Sequence, residues 1–143
     1  MKVNNIGNNT YLVLLKKGDN LLECLKEFHL KYANNKLCEF RAIGAIDNFE
    51  LGYAYLEEGV IQYNNVHYDD EYELLSLLGN ISLRDGQTAI HAHASLSDKD
   101  NKCVGGHLNY ATVSIVLECF ITVYDKEANR IFDKEVGIAV LDV

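Results

Sequence analysis

IHAHASLSDKDNKCVGGHL, residues 90–108, carries three of the chain's five histidines. Ile90, Ala92 and Ala94 alternate with His91 and His93, which is the period of a half-buried strand. Residues i and i+2 of a strand share a face, so the two imidazoles emerge side by side. SDKDNK has the polar residues of a hairpin turn, and the chain returns through CVGGHL. Facing residues in an antiparallel hairpin have a constant index sum. A loop of odd length centred near Lys99 or Asp100 makes that sum even, and sets His107 across from His91 or His93 on the same face. Gly105 is expected on that face too, leaving space beside the rings. Three imidazoles converging on a small cavity match a metal site with an open fourth position. Zinc, iron, nickel and copper all accept imidazole. Cys103 shares the parity and is a candidate fourth ligand, although a free cysteine more commonly packs as a small hydrophobe. An HxH pair can also be purely structural on a half-exposed sheet. The third histidine and the paired glycines carry the metal reading.

Working outward, EYELLSLLGNISLRDGQ precedes this hairpin and is almost continuously apolar from Leu74 to Leu83. It reads as a strand buried on both faces, with Gly79 marking a bulge or a close backbone approach. Glu73 stands at its start. A carboxylate there is a candidate general base, or a group that orients a ligating imidazole; the alternative is a solvated strand end. After the hairpin, ATVSIVLECFITVYD reads as one long strand, with Val113, Ile115, Leu117, Cys119 and Ile121 on one face. RIFDKEVGIAVLDV is expected to close the sheet as one or two strands.

The N-terminal half opens with a strand over Thr10 to Leu15, ended by Gly18-Asp19. A helix follows, with Asn20 as its cap and Glu23 completing a capping box. Leu21, Leu25, Phe28 and Tyr32 form its apolar stripe, and Asn34-Asn35 ends it. Cys24 and His29 flank the stripe and read as structural. CEFRAIGAI is a strand with Phe40, Ala42 and Gly44 on one face, and Asp47-Asn48 is expected to be a turn. FELGYAYL and VIQYNNVHY form a hairpin across Glu57-Glu58-Gly59. Their residues Tyr53, Tyr55 and Tyr63 suit cross-strand packing, a pocket or a subunit contact. One helix against many strands gives an α+β domain with a mostly antiparallel sheet. Long strands apolar on both faces need cover on both sides, and one helix covers one, so subunit association is expected to cover the other.

A chain of 143 residues is expected to form a single domain over residues 1–143. A content of 48% hydrophobic and 24% charged residues is globular. No apolar run approaches the length of a membrane span, and no signal peptide is visible, which points to the cytoplasm. Cys24, Cys38, Cys103 and Cys119 form no CxxC pair and are expected to be free thiols. The net charge of -8, without a basic cluster, opposes a generic electrostatic grip on nucleic acid.

Several segments in order resemble a prokaryotic member of the plants-and-prokaryotes conserved (PPC) domain family. They are KKGDNLLECLKEF, RAIGAIDNFELGY, EYELLSLLGNI and above all HAHASLSDKD followed by GGHL. The resemblance runs from about Tyr11 to Val140. It implies a sandwich-like domain assembled as a homotrimer. It also implies that His91, His93 and His107 bind a divalent metal, usually described as zinc in bacterial members. Plant members carry the domain behind AT-hooks with an Arg-Gly-Arg core, and this sequence has none, so a DNA-binding role transfers poorly. EYELLSL resembles the segment implicated in partner binding in plants, with Glu73 at the acid. Three readings follow. One is a metal-binding trimer with a small-molecule or enzymatic role. Another is a DNA-associated protein. The third is a protein-interaction module whose metal is structural, which would occupy the fourth position with protein.

Overall fold

The computed structural model describes residues 1–143. It is mostly antiparallel sheet with one short helix. Strand β1 (Lys2–Gly7) pairs with β2 (Thr10–Lys16) across Asn8 and Asn9, both with positive φ. Asparagine tolerates that region at low cost. β1 has no alternating pattern and was not expected; it exists because it completes the edge of β2.

Helix α1 (Leu21–Phe28) starts where Asn20 Oδ1 accepts the Glu23 backbone N–H at 3.0 Å. The Glu23 carboxylate pairs with Lys26 at 2.6 Å, so only the asparagine side of the expected capping box is formed. Leu21, Leu25 and Phe28 are buried. The next turn, His29–Ala33, widens to π geometry and rotates Tyr32 out of the stripe to lie against the Phe28 ring, 5.5 Å between centroids. Asn34 and Asn35, both with positive φ, end the turn. His29 is buried and structural, with Nδ1 against the Thr88 hydroxyl and Nε2 against the Lys36 carbonyl.

The remaining strands are β3 (Cys38–Glu57), β4 (Val60–Tyr68), β5 (Tyr72–Arg84), β6 (Gln87–Ser97), β7 (Cys103–Val123), β8 (Arg130–Asp133) and β9 (Ile138–Leu141). β7 pairs with β6, β6 with β5, β5 with β3, and β3 again with β7, so four strands close a circuit of antiparallel pairings. β2 adds to β7, and β4 to β3. The core packed between these strands and α1 includes Phe28, Phe49, Leu15, Leu77, Leu96 and Leu117.

Four expectations are corrected. Asp47-Asn48 does not reverse the chain. β3 runs straight through it, and the register against β7 slips between Asp47 and Glu50 while Asn48 takes positive φ. The polar pair makes a bulge that lets β3 change partner from β5 to β4. β5 is buried on one face over most of its length: Leu74, Leu77 and Ile81 are inside, while Leu75 and Leu78 are half or more exposed, and only at its end does the other face close over, at buried Ser82. The C-terminal segment does not join the main sheet. β8 and β9 form their own hairpin, tied to the end of β5 by a bridge between Leu83 and Asn129. In β7, three residues (Ser114 to Val116) stand against one of β3 between two paired positions, and this bulge turns Ile115 outward while Val113, Leu117, Cys119 and Ile121 stay buried. Gly79 marks close approach: a Cβ there would lie 2.4 Å from the His91 carbonyl oxygen and 2.5 Å from the Phe40 ring.

Candidate metal centre

The hairpin predicted from parity is present. His93 pairs with His107, Ser95 with Gly105 and Ser97 with Cys103, so the register centres on Asp100. The Asp98 carboxylate builds the connection by accepting the backbone N–H groups of Asp100 at 2.9 Å and Lys102 at 2.8 Å. Asn101 takes positive φ to close it. Across β5, His91 stands opposite Asn80 and His93 opposite Leu78. Three strands thus fix three rings without any of them being on a free loop.

The ring centroids of His91, His93 and His107 lie 5.1, 5.2 and 5.4 Å apart, and one ligating nitrogen from each falls within 4.8 Å of the other two. The Nε2 atoms of His91 and His93 are 3.2 Å apart. Burial, with the neighbouring His107, Arg130 and His93, pulls His91 down to about 4. Burial, with His93 and Arg130, also holds His107 below its ordinary value. Three imidazole nitrogens gathered this closely are a donor set that a divalent transition metal takes. The residues present therefore fit a metal.

The rings line an open cavity of about 630 Å³. Gly106, not Gly105, lines it; Gly105 lies against Ser95. Gly52 stands opposite His107 on β3 and adds no side chain there. A Cβ at Gly106 would come within 2.8 Å of the Gly52 carbonyl oxygen, so the glycine allows β7 to approach β3 beside the site.

The other candidates are not brought to the rings within one chain. Glu73 pairs with Ser97 at the far end of β5, five to seven residues from the positions opposite His93 and His91. At about 3.3 Å per residue that is roughly 16–23 Å. Cys103 is exposed, four pairs down the hairpin from His107. Tyr53 and Tyr63 do line the cavity, while Tyr55 stacks on Tyr53. Sequence reasoning missed Arg130. It comes from the C-terminal hairpin and reaches back to β5: Nη2 donates to Asn80 Oδ1 at 2.8 Å, Nε to Ser82 Oγ at 3.0 Å, and Nη1 to the Ala139 carbonyl at 3.3 Å. No local pattern signals a contact spanning 50 residues. The only local hint is an arginine at the head of the short strand RIFD.

The same architecture occurs in solved structures. A plant- and prokaryote-conserved protein of Pyrococcus horikoshii is 32% identical, with TM-score 0.83 over 99% of this chain and 94% of its own. A protein of Archaeoglobus fulgidus described as metal-containing is 27% identical, with TM-score 0.81 over 97% and 94%. A Ralstonia eutropha protein, provisionally described as DNA-binding, is 28% identical, with TM-score 0.81 over 93% and 90%. No curated protein sequence matches significantly. Residues 4–125 match the model of the Plants and Prokaryotes Conserved (PCC) domain, and the chain belongs to that family.

Proposed function

We propose that the chain is a single-domain metal-binding protein whose His91, His93 and His107 hold one divalent ion, zinc being the best fit, and which assembles as a homotrimer. The carrying observation is the cluster itself: three strand-borne imidazoles with their nitrogens within 4.8 Å of one another, beside an open cavity. The similarity to a metal-containing archaeal protein supports it. Zinc prefers four ligands, and the cluster comprises three side chains. That leaves a position for water or a small molecule and favours a small-molecule role over a purely structural ion. When bound, such an ion supplies Lewis acidity and an acidified water. The chain's own part is to orient the three rings through the β5–β6–β7 ladder and, by burial, to favour the neutral form of His91 and His107. Four unpaired cysteines fit a reducing compartment, here the cytoplasm. No helix is long and apolar enough to cross a membrane.

A DNA-associated role is the weaker reading. It is supported by the description of the Ralstonia relative and opposed by the charge of -8. Elemental analysis of protein purified without a nickel column tests the metal. About one equivalent per chain is expected, and His93→Ala should lose it. A full equivalent retained by that variant would overturn the ligand assignment.

A further inference from the structure

The cavity beside the histidines has a charge opposite to that of the molecule. The chain has 21 acidic residues against 13 Lys and Arg. Yet the 16 residues lining the cavity include Arg84, Arg130 and three histidines, and no Asp or Glu. Arg84 has only a long, exposed contact to Asp85, 3.8 Å, of the kind that contributes little. Arg130 has no carboxylate partner at all. Its three hydrogen bonds go to an amide, a hydroxyl and a carbonyl oxygen. A guanidinium stays charged, and it carries five N–H donors, so two remain after those three bonds. Half-buried charges are ordinarily paired, and this one is unpaired in an acid-rich chain.

Its position adds to this. Arg130 is held on Asn80, and Asn80 stands directly opposite His91 in the ladder. The guanidinium therefore sits one strand away from the imidazole cluster, with the cavity between. The three neutral acceptors fix its plane, which preorganises the fork for a planar or tetrahedral oxyanion. Around that polar corner stand Tyr53, Tyr63, Ile90, Ile138 and Ala139. A volume of about 630 Å³ is within the range of small-molecule sites and exceeds what an inorganic ion fills.

We propose that this cavity binds a small organic oxyanion, a carboxylate or phosphate head on an apolar or planar body. Arg130 takes the head and the tyrosine-isoleucine wall takes the body. This deepens the metal-site reading and rests on it for the location of the site, but Arg130 and not the metal is the determinant, so the two can fail separately. Arg130 also has a plain structural use, tying β8 to β5, and the test must separate the two.

The test is calorimetric titration of the metal-free full chain with benzoate, phenylphosphate and neutral benzyl alcohol. One or both anions should bind, at least about tenfold tighter than the alcohol, since a fixed guanidinium discriminates charge. Which of the two binds tighter assigns the head as carboxylate or phosphate. Arg130→Gln should remove the preference for the anion, whereas Lys99→Gln, an equal charge change on the hairpin loop, should not. Equal affinity for the alcohol, or no binding of any probe, would overturn the proposal. So would an anion preference that survives in a folded Arg130→Gln. If that variant does not fold, the comparison of charged and neutral probes on the unaltered chain decides alone. Repeating the titration with one zinc equivalent leaves the proposal standing if the metal fails to bind but the anion preference holds.

Discussion

At the scale of the residue, the histidines were readable because strand geometry has a period of two. Parity alone placed His107 beside the HxH pair, and the ladder sets it opposite His93. Glu73 is singled out by its place at the head of an apolar strand, and its distance along β5 keeps it from the rings within one chain. Arg130 is not legible from local pattern, because its side-chain partners Ser82 and Asn80 lie 48 and 50 residues away in sequence. The site's acid response follows from the direction of the shifts. The folded state holds His91 near 4 and keeps His107 and buried His29 below the ordinary value of 6.5. Between those values the unfolded chain binds more protons than the folded one, so stability of the metal-free protein falls as pH drops from about 6.5 towards 4. Metal binding, which needs neutral imidazoles, should weaken over the same descent. Urea midpoints measured at several pH values check the first statement, with His91→Gln expected to flatten part of the slope. A midpoint that holds or rises down to pH 4 would contradict it.

At the scale of the element, β6 is placed by its own buried Ala92, Ala94 and Leu96 together with the glycines of the strands beside it. Gly79 lets β5 approach the backbone of His91 and the ring of Phe40 more closely than any side chain permits. The sequence showed that something special occurs at this glycine, because it interrupts an apolar run, but could not separate a bulge from an approach. The true irregularity lies nearby, between Leu74 and Ser76. Gly79→Ala should therefore act as overpacking, at a cost of about 1–3 kcal/mol. Because the displaced atom belongs to His91, the same change should also weaken metal binding. An unchanged urea midpoint together with an unchanged zinc affinity would show that this glycine does not set the spacing. Other elements were legible in proportion to their local signals. Asn20, the Asn34-Asn35 stop and the Glu58-Gly59 turn acted where they stand, since each positive φ or cap is decided within a few residues. Asp47-Asn48 misled because the same polar pair serves a turn or a bulge, and only the partner strands decide between them.

At the scale of the whole molecule, charge and exposed apolar surface lead to two predictions. With a net charge of -8 and its cavity arginines set back beside the histidines, the surface lacks the phosphate-tracking stripe that non-specific binders use. Duplex DNA should bind no tighter than about 10 μM at about 150 mM salt. A submicromolar affinity by fluorescence anisotropy would contradict this. The second prediction concerns assembly. Leu78 is 60% exposed, Ile43 56% and Ile115 57%, with Leu14, Leu75 and Val116 also open. Leu14 and Ile43 both pair with Glu118, so they share one face of neighbouring strands. Leu78 pairs with His93, which puts the histidine cluster on that same side of the β5–β6 ladder. Soluble monomers rarely leave apolar patches beyond a few hundred Å² uncovered, and closed symmetry covers them without forming fibres. Three copies are the number that the family resemblance implies, giving about 48 kDa from three chains of 16.1 kDa. Two aspartates test this differently. Leu77 is fully buried in the core, so Leu77→Asp should unfold the chain, because an unpaired buried charge costs several kcal/mol. Ile115 is exposed in the single chain and belongs to the surface proposed to pair with a second copy, so Ile115→Asp should lower the mass while leaving the circular dichroism of the sheet in place. Light scattering at micromolar concentration reads both. A monomer mass for the unaltered chain would refute the trimer and the burial argument together, and an Ile115→Asp protein of full mass would place the interface on another surface.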